Sequence, residues 1–289
     1  MKIYAIFHIS QSAILPRNFM LIDIENIIHK RTNRRLPKWL IRVAKKAIHQ
    51  TEINQIISSG EHLTPAQFIK HALKELNIKY KILESAKIPL DDRYIFVANH
   101  PFGGADGLMI TDALLGRFSD VGTIVNDMLM HIEPLKPLWI PINKYGNQHS
   151  LHSQTYHAAL DSQSKQILTF PAGFCSRITK GEVADTEWHI RFIKDAKRHH
   201  RKIVPVYVDG TLSRRFYNIY RVRRALGIHL NVELLLLVDE MFRQRGRCFK
   251  IVFGAPLDAD LIEGNSPTEK CQKVRETVYA LKTRTPDLN

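Results

Sequence analysis

The residues with the clearest capacity for chemistry lie together in the segment Asn99-His100-Pro101-Phe102-Gly103-Gly104-Ala105-Asp106. His100 leaves the apolar run Ile95-Phe96-Val97-Ala98, and Asp106 opens a helical stretch after a turn containing Gly103 and Gly104. Glycine accepts backbone angles that other residues resist, so this turn can fold the Asp106 carboxylate onto one imidazole nitrogen. The other nitrogen then faces a cleft. An alcohol is a poor nucleophile near neutrality, and an imidazole with an ordinary pKa of about 6.5 can remove its proton as it attacks. The carboxylate fixes the imidazole tautomer and stabilises the imidazolium that develops. The hydroxyl would belong to a substrate, so the chain needs no nucleophilic serine. Each residue alone has a plainer reading: Asp106 as a helix N-cap, His100 as one structural histidine among 14. Their combination carries the chemical reading.

The elements that must hold this pair follow from apolar periodicity. Residues 20–76 read as helical. In 36–48 the apolar stripe Leu36, Leu40, Val43, Ala44, Ala47 and Ile48 has helical spacing, with Arg42, Lys45 and Lys46 between, Lys30, Arg31, Arg34, Arg35 and Lys38 upstream, and Trp39 alongside. Such a basic amphipathic helix suits an anionic bilayer surface, and equally a solvated helix packed on the main domain. Thr64 caps a further helix that has Pro65 in its first turn. Beyond residue 76, short apolar runs at 80–83, 94–98, 121–125, 166–170, 203–208 and 249–253 predict strands. Helices are predicted over 107–115, 149–160, 188–197, 215–226, 233–242 and 267–282. This alternation predicts an α/β fold, a mixed, largely parallel sheet flanked by helices, with an N-terminal amphipathic helical segment. The expected organisation is an extension over 1–19 upstream of the natural start, a helical segment over 20–76 and the α/β domain over 77–289. Ligands of such sheets bind beyond the carboxyl ends of strands, which singles out 99–107, 171–177 and 209–215 as loops that open on one edge.

Bulk composition narrows the partners. Lys and Arg outnumber Asp and Glu by 42 to 28, a net charge of +14, which favours nucleic acid, anionic membrane or acidic metabolites. Cys175, Cys248 and Cys271 are widely spaced, which gives neither a disulfide framework nor a metal site and fits a reducing cytosol. No run approaches the roughly 18 to 20 apolar residues of a membrane span. The opening MKIYAIFHIS is too short and too interrupted for a signal peptide.

Asn-His-Pro-Phe-Gly-Gly-Ala-Asp at 99–106 resembles the Asn-His…Asp signature of the glycerolipid (lysophospholipid) acyltransferase family, the 1-acylglycerol-3-phosphate acyltransferase-like enzymes. ILTFPAGFCSR at 167–177 resembles the family's Phe-Pro-Glu-Gly block and IVPVYVDG at 203–210 its Val-Pro block, while LWIPINKYG at 138–146 stands where the acceptor-binding block belongs. The blocks come in the family's order across about 95–210. The wording is most similar to the bacterial branch that O-acylates amino-acid lipids such as glycine or ornithine lipids. Two departures are visible. Five residues separate His100 from Asp106 where the family has four, and Ala172 stands where it has glutamate. The Gly-Gly turn is expected to absorb the extra residue as a bulge.

The resemblance implies an O-acyltransferase that passes a fatty acyl group from acyl carrier protein or coenzyme A to a lyso-lipid hydroxyl, an amino-acid lyso-lipid or lysophosphatidate. His100 is the expected base and Asp106 its partner. Arg177 and Lys144 are expected to hold the anionic head group, since Arg grips carboxylate or phosphate in bidentate fashion. Gly173 would admit the substrate close to the backbone, and Asn99 would orient the loop. N–H groups near Gly103 or Gly173 would receive the oxyanion, and Gly104 is expected beside Gly103 among the substrate-binding residues. No cofactor or metal is expected beyond the acyl thioester co-substrate, and the enzyme would sit peripherally on the inner face of the cell membrane. Cys175 offers a rival thiol nucleophile, but only Arg177 nearby favours a thiolate. Two alternatives remain: a hydrolase with the same pair and water as acceptor, though no Gly-x-Ser-x-Gly elbow exists, and a basic nucleic-acid-binding protein, though no zinc-finger, RNP or helix-turn-helix signature exists.

Overall fold

The computed structural model describes residues 21–33, 35–83, 85–142, 149–179, 182–227 and 233–284. The proposed extension over 1–19 and Lys144 lie outside them. The chain begins with helices α1 (Ile24–Thr32), α2 (Lys38–Ala47), α3 (Gln50–Ser59) and α4 (Pro65–Glu75). Thr64 caps α4 as its sequence predicts, exchanging hydrogen bonds with Gln67. Then come β1 (Lys79–Ile82), β2 (Tyr94–Ala98), α5 (Gly104–Leu115), β3 (Asp120–Asn126), β4 (Trp139–Ile142), α6 (His149–Asp161) and β5 (Lys165–Thr169). The hairpin β6 (Arg177–Thr179) and β7 (Glu182–Ala184), α7 (Arg191–Arg198), β8 (Lys202–Asp209), α8 (Arg214–Ala225), α9 (Glu233–Arg243), β9 (Cys248–Phe253) and α10 (Pro267–Ala280) complete it.

The main sheet runs β1-β9-β8-β2-β5-β3-β4. Every pairing in it is parallel except that of β8 with β9. This is the mixed, largely parallel α/β sheet the sequence predicts. β2 lies in its middle and every one of its residues is buried, which explains its unbroken apolar reading. Alternation along the strands sorts their side chains into two layers. Tyr94, Phe96 and Ala98, with Val204, Val206, Val208, Phe249, Ile251 and Phe253, meet α4, α5, α8 and α9 on one face. Ile95, Val97, Ile203, Tyr207 and Val252 meet α6, α7 and α10 on the other.

The topology brings together what the sequence singles out. β2 is flanked by β5 and β8, both parallel to it, so the loops that follow these strands share one sheet edge. Asn99 locks the central pair there: its amide donates to the Val208 carbonyl at 2.8 Å and accepts from the Val208 N–H at 2.7 Å. It extends the β2–β8 ladder with a side chain.

Several expectations are corrected. The buried residues of α2 and its end are Ile41, Ala44 and Ile48, while Val43 turns outward beside Trp39, which is 64% exposed. Ala44 and Ile48 face Ile24 of α1 and Val238 of α9, so the buried stripe of α2 is set by helix–helix packing. Helix α5 begins three residues before its predicted start. Several of the cations over 197–224 are also less exposed than their charge suggests. Arg201 is buried and gives its guanidinium to the carbonyls of Ala159, Leu160, Ser162, Lys165 and Tyr94, closing the end of α6. Arg223 is buried too, and Lys197 and Lys202 pair with Asp260 and Asp92.

Candidate active site

Gly103 initiates the geometry at the carboxyl end of β2. Its φ of +76° is one that side chains resist, and a Cβ there would stand 3.0 Å from Cys175 Sγ. The turn it makes starts α5 at Gly104, which places Asp106 in the first helical turn, facing back. The Asp106 Oδ2 accepts the N–H groups of Phe102 at 2.8 Å and Gly103 at 3.0 Å. The loop between His100 and Asp106 thus closes on the carboxylate where it enters the helix. Beneath it Phe102 is fully buried, edge-on to Phe249 with centroids 4.6 Å apart. It can lie there only because Gly210 lacks a side chain: a Cβ at Gly210 would fall 2.2 Å from Phe102 Cζ.

His100 Nδ1 lies 3.0 Å from Asp106 Oδ2. The contact is close but not aligned as a hydrogen bond, and Nδ1 and Asp106 Oδ1 are both buried with no hydrogen-bond partner among the described residues. Rocking the carboxylate would pair them, a tightening that catalytic contacts often undergo when substrate arrives. Asp106 is wholly buried, whereas the His100 side chain keeps 17% exposure. With Nδ1 covered, that exposure belongs to the far side of the ring. The imidazole stacks on Phe170, the residue after β5, with centroids 4.1 Å apart. Burial pushes the Asp106 carboxyl above the usual range, while His100 and the two loop N–H groups pull it down. A desolvated carboxyl group interacts more strongly with an imidazolium than a solvated one does.

The second loop wraps around His100. Gly173 is exposed with a φ of +67°, and its N–H closes a turn onto the Phe170 carbonyl at 2.9 Å. Ala172 is buried in the core on the α6–α7–α10 side, so an acid at that position would face apolar neighbours here. Cys175 is buried and its thiol is pushed up to about 12, by burial first, so it is no thiolate. Arg177 is buried as well: its guanidinium donates to the Cys175 carbonyl at 2.7 Å and lies 5.2 Å and 5.0 Å from the Phe216 and Tyr220 ring centroids. The structure therefore brings His100, Asp106, Gly103, Gly104, Gly173 and Arg177 to one edge, with Asn99 spent on the ladder beneath them. Gly103 and Gly173 use their own N–H groups within the loops.

Two further residues, not legible in the sequence, shape the site. Asp185, just after β7, is buried, and its Oδ1 accepts the His100 N–H at 3.2 Å and the Ser176 hydroxyl at 2.6 Å. Only the folded hairpin brings it back to His100, 85 residues away. Leu237 of α9 covers Gly103 from above. Among the described residues no cluster of His, Cys, Asp and Glu fits a metal ion.

A histidine–aspartate contact at the central edge of a largely parallel α/β sheet defines a site suited to activating a hydroxyl supplied by a substrate. The chain belongs to the acyltransferase family, whose match spans residues 28–286, and it is an enzyme of acyl transfer. Two similar proteins are lyso-glycine lipid O-acyltransferases. That of Bacteroides thetaiotaomicron is 34% identical over 91% of this chain and 98% of its own length. That of Phocaeicola vulgatus is 33% identical over 91% of this chain and 96% of its own. Among solved structures, the 1-acyl-sn-glycerophosphate acyltransferase PlsC of Thermotoga maritima aligns with a TM-score of 0.43 and 16% identity, over 91% of this chain and 90% of that one.

Proposed function

We propose that this acyltransferase moves a fatty acyl group from a thioester to the hydroxyl of a lyso-lipid, and that the acceptor is an amino-acid lyso-lipid of the glycine type. The observation that carries the reading is the 3.0 Å approach of His100 to a buried Asp106 at the sheet edge, in a chain whose similar proteins bear that acceptor in their names. The acceptor hydroxyl lies against the exposed side of the His100 ring and gives it a proton while its oxygen attacks the thioester carbonyl. The oxyanion meets the first N–H groups of α5, at Gly104 and Ala105, which a helix start leaves without intrahelical partners. Collapse expels the thiolate, which takes the hydroxyl's proton from the imidazolium held by Asp106. Arg177 braces the second loop and adds positive field for an anionic head group, and Lys144 supplies a second cation.

The donor is acyl carrier protein or coenzyme A. Exposed arginines of α8, among them Arg214, Arg221 and Arg224, follow β8 near the same edge and suit either acidic donor. Peripheral attachment to the inner face of the cell membrane is supported by α2, whose exposed Trp39 and Val43 sit among exposed Arg35, Lys38, Arg42 and Lys46. Among the described residues no helix is long and apolar enough to cross a membrane.

The test uses purified protein with a long-chain acyl thioester, on carrier protein and on coenzyme A in parallel, and a panel of lyso-glycine lipid, lyso-ornithine lipid and lysophosphatidate. Transfer to lyso-glycine lipid with the highest kcat/KM is expected. Preference for lysophosphatidate would overturn the acceptor, and thioester hydrolysis without transfer would overturn the reading.

A further inference from the structure

We propose that Asp185 is a positioning residue for the acyl-transfer reaction, acting through the backbone of His100. The inference rests on the reading of His100 as the base.

A base must be held to within a fraction of an ångström of its productive place, and a histidine that leaves a strand end for a loop has lost the ladder that would hold it. Here the missing ladder is replaced. The His100 N–H donates to Asp185 Oδ1 at 3.2 Å, and the His100 carbonyl accepts from the Ser176 N–H at 2.8 Å. The circuit closes because the Ser176 hydroxyl donates to the same Asp185 Oδ1 at 2.6 Å. Both polar groups of the His100 main chain are therefore tied to one unit. That unit is itself anchored. Trp188 Nε1 donates to Asp185 Oδ2 at 2.9 Å, the Asp185 N–H donates to Tyr279 Oη at 2.7 Å, and Arg275 donates to the Asp185 carbonyl at 3.0 Å. Tyr279 and Arg275 lie on α10, so the clamp ties the histidine to the helical layer behind the sheet. Asp185 is 5% exposed and Ser176 2%, so water does not compete for these bonds.

The clamp touches neither the imidazole ring nor the open side of the site. Removing it should leave substrate binding alone and spoil the approach of the ring to acceptor and to Asp106. A carboxylate is required because three donors converge on it, whereas an amide would turn an NH2 group toward one of them.

The experiment measures acyl transfer by the full chain carrying Asp185→Asn, with Ser176→Ala as a second, milder variant and thermal unfolding as the check on folding. Asp185→Asn should lower kcat about 10- to 100-fold with KM for both substrates little changed. Ser176→Ala should lower kcat less, and in the same direction. In a His100→Ala background, Asp185→Asn should cost nothing further. If Asp185→Asn does not fold, Ser176→Ala carries the same criteria. An unchanged kcat, a loss confined to KM, or an equal further loss in the His100→Ala background would each overturn the positioning role. Retention of kcat by His100→Ala alone would instead sink the reading of His100 as the base.

Discussion

At the residue scale the site depends on what is absent as much as on what is present. Gly210 has a φ of +136° and leaves the space that Phe102 fills, so Gly210→Ala brings a clash and a strained backbone together. We expect it to destabilise the protein by about 2 kcal/mol or more, measured by denaturant unfolding, and to lower activity by lifting the loop that carries His100 and Asp106. The cysteines give a separate check. Burial pushes Cys175 up to about 12 and Cys271 up to about 11, whereas Cys248 is exposed. A thiol reagent at pH 8 should therefore label Cys248 alone in the native protein, and Cys175→Ala should stay active. Rapid labelling of Cys175, or loss of turnover in Cys175→Ala, would revive the thiol mechanism. His100 and Asp106 were legible because both residue types, and the glycines that join them, lie within one short segment. Asp185 was not, since nothing local marks an aspartate after a hairpin as the partner of a peptide group 85 residues earlier.

At the element scale the central strands were legible because β2 and β8 are buried on both faces and read as unbroken apolar runs. β4 and the β6–β7 hairpin were not. The first has four residues including Pro141, and each strand of the hairpin has three, too few for any period to show. Nor does sequence show that Arg201 is interior. Five carbonyl groups satisfy its guanidinium, and burial lowers its pKa to about 10. Lysine cannot reproduce that fork, so Arg201→Lys should cost about 2 kcal/mol or more in denaturant unfolding while leaving KM unchanged. A neutral substitution would show that water replaces the bonds freely.

At the scale of the whole molecule, the N-terminal helices connect the exposed basic face of α2 to the site. α2 packs on α9 through Val238, and α9 covers Gly103 through Leu237. His49 reinforces the junction by stacking on Phe242 and bonding Asp239 at 3.0 Å. Binding to vesicles containing anionic lipid should weaken by about fivefold for each cation neutralised among Arg42 and Lys46, as about 1 kcal/mol per charge implies. Trp39→Ala should weaken it further. Binding that ignores all three would place the membrane contact elsewhere. The proposed chemistry depends above all on the imidazole. The most direct measurement is kcat for His100→Ala with saturating acyl thioester and lyso-lipid, on protein shown to be folded by its unfolding transition. A fall of about 10²- to 10⁴-fold, shared by kcat and kcat/KM, is the expected result. A kcat equal to that of the parent chain would contradict it.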